Sequence, residues 1–585
     1  MHKWIATLLP IAVSALSYDV QFWGLDNPDC LKALERASDL YAMQERPPVS
    51  LNALRYRVEA DIPNLIQALR AFAYYDASVT YTIDLDPAGA IVTLFIHSGD
   101  QYKLASYQIY SAPSCTDQLQ PDVCCTLAPA QLGLQIEKPA LSVSIVNAEL
   151  QLLTELARCG HPLAQIEKRR VIVDMERKNV DAAVCVDEGP VAAFGPSAIF
   201  GLRDVNPRFI EQRIDWKEGQ IYDADLVEHT QKKLLSTDLF SSVLIAHSDA
   251  LDEHEQLPMR LRITEAKHKQ ITIGAFYATV DGPGATFSWT NRNVRGMGEQ
   301  ISIQGSVSSY SLMGTLQYKK PDFWVPNQSY RALASTVKEV INPYTAFTYR
   351  FANYIERKIK EKDSFSAGLK IEHINVSQSA SNGSYFVLGV PLFAKCDRSN
   401  DPLNPTRGYT LVYSITPYQT IEYGNHQFAK QRFTATGYLP IANSDRFVLA
   451  LRAQFGSIAG ADQSKIPLTK LFLGGSEDDL RGYRYKTVSP LNSHNEPLGG
   501  KSAIFSSLET RIRITSTIGL VPFFDFGTVS ASAFPKIRTQ WYKSVGLGVR
   551  YFSFFGPLRF DIGFPLDPRP IDPTFRIYAS VGQTF

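Results

Sequence analysis

Arg446-Phe447-Val448-Leu449-Ala450-Leu451-Arg452-Ala453-Gln454-Phe455 has two faces. Phe447, Leu449, Leu451, Ala453 and Phe455 share one side, and Arg446, Val448, Ala450, Arg452 and Gln454 the other. A period of two is that of a strand, and here an apolar face is backed by one that carries arginine. The same pattern recurs. Tyr409, Leu411, Tyr413 and Ile415 alternate with Thr410, Val412, Ser414 and Thr416. Leu508, Thr510, Ile512 and Ile514 alternate with Ser507, Glu509, Arg511 and Arg513, and Leu558, Phe560, Ile562 and Phe564 with Arg559, Asp561 and Gly563. From Gln270 onward the period stays at two, broken by turn clusters such as Asp281-Gly282-Pro283-Gly284 and Ser381-Asn382-Gly383. A soluble sandwich would point the apolar face inward. A membrane barrel turns it to lipid and lines a watery lumen with the polar face. Residues 268–585 therefore predict an all-β, antiparallel transmembrane barrel of about sixteen strands, each roughly 9–13 residues long.

Composition agrees with that choice. Hydrophobic residues make up 45% and no run beyond the extreme N-terminus is long and apolar enough for a membrane helix, which excludes a helical membrane protein but not a barrel. Basic and acidic residues number 59 and 58, for a net charge of +1, so a nucleic-acid partner held by a broad basic face is not expected. Lys3, the apolar run 4–15 and Ala15-Leu16-Ser17 predict an export signal over residues 1–17, with the mature chain starting near Tyr18.

Between residues 18 and 267 helical and strand patterns alternate instead. Leu51, Leu54, Val58, Leu65 and Leu69 give a helix over 50–73, followed by strands at 78–85 and 90–96 and by Gly99. A second helix over 146–158 stops at Gly160 and precedes strands 170–175 and 182–186, then Gly189. The third starts at the N-cap Asp223, runs through Leu226, Val227, Thr230, Leu234 and Leu235, and is followed by strands at 240–245 and 259–263. One helix–strand–strand unit thus occurs three times, which predicts an array of like α+β modules. Six of the seven cysteines (Cys30, Cys115, Cys124, Cys125, Cys159, Cys185 and Cys396) lie in this half. In an oxidising compartment Cys115 is expected to close a short loop with Cys124 or Cys125. With no CxxC pair and no histidine cluster, no metal site is expected.

The longest connection, 458–500, contains Gly474-Gly475-Ser476-Glu477-Asp478-Asp479-Leu480-Arg481-Gly482-Tyr483-Arg484-Tyr485. Loops of that length inside a compact domain are usually functional or disordered. Glu509 follows at an inward position, then Phe523-Phe524-Asp525-Phe526-Gly527 with Asp525 also inward. Here the chain resembles the POTRA-plus-barrel assembly factors of bacterial outer membranes. Leu480, Arg481, Gly482 and Tyr483 look like that family's loop signature, (V/I/L)-R-G-(F/Y). Phe523, Asp525 and Gly527 look like its F-x-D-x-G strand motif, and Asp401 to Gly408, with Pro405-Thr406-Arg407-Gly408, resembles a third. The likeness covers the whole mature chain: POTRA-like modules at 18–100, 101–189 and 190–267, then the barrel at 268–585. Three modules before sixteen strands resemble the TamA branch most closely.

The resemblance implies that the loop folds into the lumen and that Arg481 pairs with Glu509 and Asp525. It also implies an outer-membrane location with the modules in the periplasm. The clients would be unfolded barrels or autotransporters, and the surroundings outer-membrane lipid. An inner-membrane-anchored, periplasm-spanning partner of the TamB kind would dock on the modules. A barrel closes by pairing its first and last strands, here 270–277 and 575–585. Ile271, Ile273 and Gly274 on one side, and Ile577, Ala579, Gly582 and Phe585 on the other, are expected to form a lateral gate, since glycine weakens a strand locally. The alternative is a two-partner-type secretion channel for one dedicated exported protein. Gly499-Gly500-Lys501-Ser502 imitates a phosphate loop but lacks the earlier glycine and the following helix. No nucleophile–base pair stands out, so neither an enzyme nor a cofactor is expected.

Overall fold

The computed structural model describes residues 16–87, 89–113, 115, 128–278, 282–341, 344–360, 362–377, 382–421, 424–536, 539–553, 556–581, 583 and 585. The chain divides into two compact units, and the division passes through the third module. Leu202–Gln212 and Thr237–Ser242 belong with Thr264–Phe585.

In the first module β1 (Tyr18–Trp23) precedes α1 (Pro28–Ala37), α2 (Asp39–Ala42) and α3 (Leu51–Ala71), then β2 (Ser78–Asp86) and β3 (Gly89–His97). The Ser50 hydroxyl caps α3 through the Ala53 N–H at 3.2 Å. Leu54, Val58, Leu65 and Leu69 recur at helical spacing and are fully buried against Val92 and Leu94. Burying each stabilises the module by about 1.5–3 kcal/mol. Asp61, on the same stripe, is buried as well. Its carboxylate accepts from the Ser38 hydroxyl at 2.6 Å and the Asp39 N–H at 2.9 Å, at the start of α2 where the helix dipole favours an anion. Cys30 is fully buried, and burial pushes its thiol up to about 11, which keeps it protonated and unreactive.

The second module is β4 (Lys103–Ser111), α4 (Ser142–Arg158), β5 (Gln165–Asp174) and β6 (Asn179–Asp187). The third is β7 (Ala193–Phe200), α5 (Pro207–Glu211), α6 (Ala224–Leu235), β8 (Phe240–His247) and β9 (Gln256–Glu265). The sheets order as β1-β3-β2, β4-β6-β5 and β7-β9-β8, and the first strand of each runs parallel to the last. Each module is therefore strand–helix–strand–strand, one strand more than the sequence pattern indicates. β4 and β7 hide from a period-two search because bulges at Leu104/Ser106 and Phe194/Ser197 shift their phase. β1 alternates only briefly, with Tyr18 and Val20 buried between Asp19 and Gln21. Gly99 and Gly189, which follow the last strands of the first two modules, both take positive φ, at 67° and 64°.

The disulfide differs from expectation. Cys115 pairs with Cys185, seventy positions on, and not with a near neighbour. Register explains it: Tyr110 lies opposite Cys185 across β4 and β6, so the chain leaving β4 passes the Cys185 sulfur. Cys124 and Cys125 lie outside the described residues.

The barrel sheet comprises β10 (Lys269–Ala278), β11 (Gly282–Asn291), β12 (Gln300–Val307), β13 (Ser311–Lys320), β14 (Gln328–Ile341), β15 (Tyr344–Lys360), β16 (Asp363–Ser377), β17 (Asn382–Gly389) and β18 (Leu392–Asp397). It continues with β19 (Gly408–Thr420), β20 (Gln427–Pro440), β21 (Phe447–Gly460), β22 (Ser502–Arg513), β23 (Ile518–Ser530), β24 (Tyr542–Ser553), β25 (Gly556–Pro565) and β26 (Arg576–Val581). All pairings are antiparallel and, apart from β16–β18 and β17–β19, follow chain order. Among the described residues the sheet holds seventeen strands where sixteen are expected. β17 and β18 both lie between β16 and β19, and the break between them falls at Val390-Pro391, where proline cannot donate to a ladder.

The two faces behave as the alternation predicts. Phe447, Leu451, Leu508, Phe560 and Phe564 are exposed on the outside, while Arg452, Glu509, Arg511, Asp525, Arg550, Arg559 and Asp561 are buried within. Among the described residues β26 covers Arg576–Val581 of the expected 575–585. Phe585 turns into the lumen, where its ring lies 4.6 Å from the Arg452 guanidinium and 5.2 Å from that of Arg511, beside Tyr438, Val448 and Ala450. Two cations over an aromatic face outweigh a place on the lipid-facing edge.

Candidate functional site: a loop clamped in the barrel lumen

The segment between β21 and β22 folds on itself before it meets the wall. The Asp479 carboxylate accepts from the backbone N–H groups of Gly475 (2.9 Å), Ser476 (2.7 Å) and Leu480 (2.6 Å), which makes a tight turn just before the signature. That turn aims Arg481 at the inner face. The guanidinium is fully buried, and its five N–H donors are all used. Nε and Nη2 donate to the two oxygens of Asp525, both at 2.7 Å. Nη1 donates to Glu509 at 2.8 Å and to Asp561 at 3.0 Å, and Nη2 also reaches the Ser507 hydroxyl at 2.9 Å. The Phe523 ring lies 3.4 Å beneath the guanidinium carbon. Planar, forked donors matched to paired carboxylates are what distinguish arginine from lysine here.

The rest of the signature fits the wall closely. Gly482 has φ at +92°, and a Cβ there would stand 3.0 Å from the Pro565 nitrogen. Its N–H donates to the Tyr578 hydroxyl at 2.8 Å. Leu480 and Tyr483 are fully buried, and the Tyr483 hydroxyl donates to the Lys543 carbonyl at 2.9 Å. Gly527 supports the site indirectly, since a Cβ on it would lie 2.4 Å from the Phe505 ring. The structure thus brings Arg481 together with Glu509, Phe523 and Asp525.

The sequence reading misses Asp561 and Ser507 as partners of Arg481, although both stand on the inward parity of their strands. It also misses the surrounding cations. Arg511 lies 3.1 Å from Glu509, Arg559 lies 3.0 Å from Asp561, and Arg550 also pairs with Asp561. Arg559 reaches Glu477 of the loop at 2.9 Å as well. Opposite charges therefore alternate through a buried cluster, and removing any one leaves its neighbours buried with fewer counter-charges.

The third motif shapes a turn. The Asp401 carboxylate accepts from the N–H groups of Leu403 and Asn404, both at 2.7 Å, and Gly408 takes φ +96° where a Cβ would meet the Arg398 carbonyl. Arg407 is half-exposed beside Asp445.

Of the expected gate residues, Ile271 and Ile273 are strongly exposed on β10, and Ile577 is exposed on β26. Gly274 stands opposite Thr286 on β11, and Ala579 opposite Phe560 on β25. Gly582 lies outside the described residues. Phe585 is inside the lumen and not at the edge, for the reason given above. β10 and β26 lie next to each other, yet among the described residues no ladder joins them.

Among the described residues one group has metal-ligand spacing: Asp204, Glu265 and His268. Glu265 is already committed there. It accepts from the backbone N–H groups of Arg203 (2.7 Å) and Val205 (3.0 Å), and His268 Nε2 lies 3.0 Å away. Burial opposes its charge, but these donors hold it below the usual carboxylate range. The group is a staple between backbone segments.

Residues 293–585 match the model of the Omp85 superfamily domain. Outer membrane protein assembly factor BamA of Nitratidesulfovibrio vulgaris is 21% identical over 512 residues, covering 84% of this chain and 63% of that protein. BamA of Neisseria meningitidis is 19% identical over 565 residues, covering 86% of this chain and 69% of its own length. The chain thus spans under two thirds of the first of these relatives. The crystal structure of BamA from Haemophilus ducreyi lacking POTRA domains 1–3 shares the fold, with a TM-score of 0.67 at 16% identity over 82% of this chain and 99% of that one. With half its length matched to the family model and a barrel that follows the family's plan, this chain belongs to the Omp85 superfamily, an outer-membrane protein whose N-terminal α+β modules are periplasmic.

Proposed function

We propose that this protein is an assembly factor that helps autotransporters or other β-barrel clients enter the outer membrane, through a gate between β10 and β26. The observation that carries this reading is the unequal seam. β10 has ten residues and β26 six, and no ladder joins them among the described residues. Among the described residues the β10 edge that faces β26 therefore carries backbone donors and acceptors that no ladder with β26 covers. Unpaired polar groups at that depth cost several kcal/mol each, so an incoming strand that pairs with them gains stability as it enters. Ile271, Ile273 and Gly274 would offer that edge, with Ile577 and Ala579 on the side that yields. The Arg481 cluster would hold the loop so that the wall next to the gate keeps its shape.

The three modules support a TamA-like role within the superfamily. Each three-stranded sheet has open edges that can accept an added strand from a client or partner. The first module is the proposed dock for an inner-membrane-anchored, TamB-like partner. Depletion of the protein, read by proteomics of the outer membrane, tests both statements. We expect several barrel or autotransporter proteins to fall together, full-length protein to restore them, and protein lacking residues 18–99 to insert yet fail to restore them. Loss of one exported protein alone would favour the dedicated secretion channel.

A further inference from the structure

Arg481 is not the loop's only tie to the wall. Before reaching the signature the loop makes a short 3₁₀ turn, Leu468–Lys470, which sends the Lys470 side chain to the arc of barrel built from β15, β16 and β19. There Lys470 Nζ donates to Glu372 at 2.5 Å. Glu372 is completely buried on the inner face of β16 and accepts from Arg350 Nε at 2.7 Å, with Lys370 Nζ 3.9 Å away. Lys370 in turn donates to the Tyr418 hydroxyl at 2.7 Å, and the Lys470 ammonium sits 5.4 Å from the Tyr418 ring centre. A fourth cation, Lys430, donates to the Lys470 carbonyl at 2.6 Å and lies 4.5 Å from the ring of Phe472.

One carboxylate thus stands among three cations, with a fourth close by, and only Lys470 comes from the loop. The apolar side chains next to it, Leu471 and Phe472, pack with Ile374, Val387 and Ile458 of the wall. Beyond the signature, Lys486 donates to Glu339 of β14 at 2.8 Å. The loop therefore touches β14–β16 at Lys470 and Lys486, and β22, β23 and β25 at Arg481, with β17–β21 between these arcs in the sheet.

We propose that Glu372 is a second anchor for the loop, a positioning residue that holds its leading arm to the wall and so makes the loop a strut between two arcs of the barrel. Neutralising Glu372 leaves Arg350, Lys370 and Lys470 facing one another without the counter-charge they share. Arg350 and Lys370 belong to strands and cannot leave. The Lys470 ammonium can reach water if the arm lifts, so relief of the repulsion comes by releasing the loop. The anchor stands without the assembly reading; only its consequence for client insertion rests on that reading.

The test uses full-length protein in proteoliposomes and chymotrypsin cleavage at Phe472, with cleavage at Tyr483 as the control at the Arg481 cluster. Both residues are buried in the intact protein. In Glu372→Gln we expect cleavage at Phe472 to rise by about tenfold or more, as loss of a buried charge partner implies, while Tyr483 stays protected. The charge swap Glu372→Lys/Lys470→Glu restores an opposite-charge contact and should return Phe472 to protection, which a residue needed only for packing would not do. Unchanged cleavage in Glu372→Gln overturns the anchor, and so does a swap as exposed as the single variant. If Glu372→Gln fails to fold, Lys470→Gln takes its place: the wall then keeps an ionised Glu372 paired with Arg350 and Lys370, and a rise at Phe472 supports the anchor while none overturns it. Neither readout involves a client, so failure here is distinct from failure of the proposed function.

Discussion

Arg481→Ala should release the loop and weaken the barrel together. The substitution removes five donors and a guanidinium stacked on Phe523, and it leaves Glu509, Asp525 and Asp561 buried around an empty space. Removing one partner from a buried charge cluster costs about 3–5 kcal/mol. Arg511, Arg550 and Arg559 remain as partial counter-charges, so the wall is expected to fold. Its heat-modifiable band should convert at a clearly lower temperature, and client assembly should fall by about tenfold or more. Arg481→Lys should rescue little, because one ammonium cannot supply the forked contact with Asp525 while also reaching Glu509 and Asp561. Wild-type heat-modifiability together with wild-type client assembly in Arg481→Ala would contradict the clamp.

A disulfide across the seam should abolish insertion while leaving the barrel intact. Ile273→Cys on β10 and Ala579→Cys on β26 place thiols on the outward faces of the two terminal strands. Once oxidised, the pair holds together the two sheet edges that, among the described residues, can part without breaking a continuous ladder. We expect client insertion to drop to background under oxidising conditions and to return on adding a reductant, with the Arg481 cluster unaffected throughout. Reversal is the informative part, since a misfolded barrel would not recover. Undiminished insertion through a fully oxidised seam would remove the gate from the account.

Much of the site is legible in the sequence because a barrel strand has only two faces. Once Leu508 and Phe524 are assigned to lipid, Glu509 and Asp525 must point inward, and a long loop carrying an arginine has few other places to put it. Asp561 follows from the same parity, but nothing along the chain says that the loop tip stops level with it. Glu372 is harder still. It lies 98 positions from Lys470, and its pairing depends on how far a 3₁₀ turn carries one lysine across the lumen. The first strands of the second and third modules are obscured by bulges that shift their phase, and the Cys115–Cys185 bond by strand order: β4 lies beside β6, not β5. The inward turn of Phe585 is illegible for another reason. Its attraction to Arg452 and Arg511 competes with strand pairing, and alternation alone describes only the pairing.

The most direct test of the central claim is a crosslinking map between a stalled barrel client and this protein during insertion. Photoreactive residues are placed one at a time at Lys269 to Ala278 on β10, and at lumenal sites such as Arg432 and Thr434. If the gate admits clients, the client's terminal strand should crosslink along β10 in consecutive antiparallel register, with little capture in the lumen. Capture confined to lumenal sites, with β10 silent, would contradict lateral insertion and identify a channel through which the exported chain is threaded.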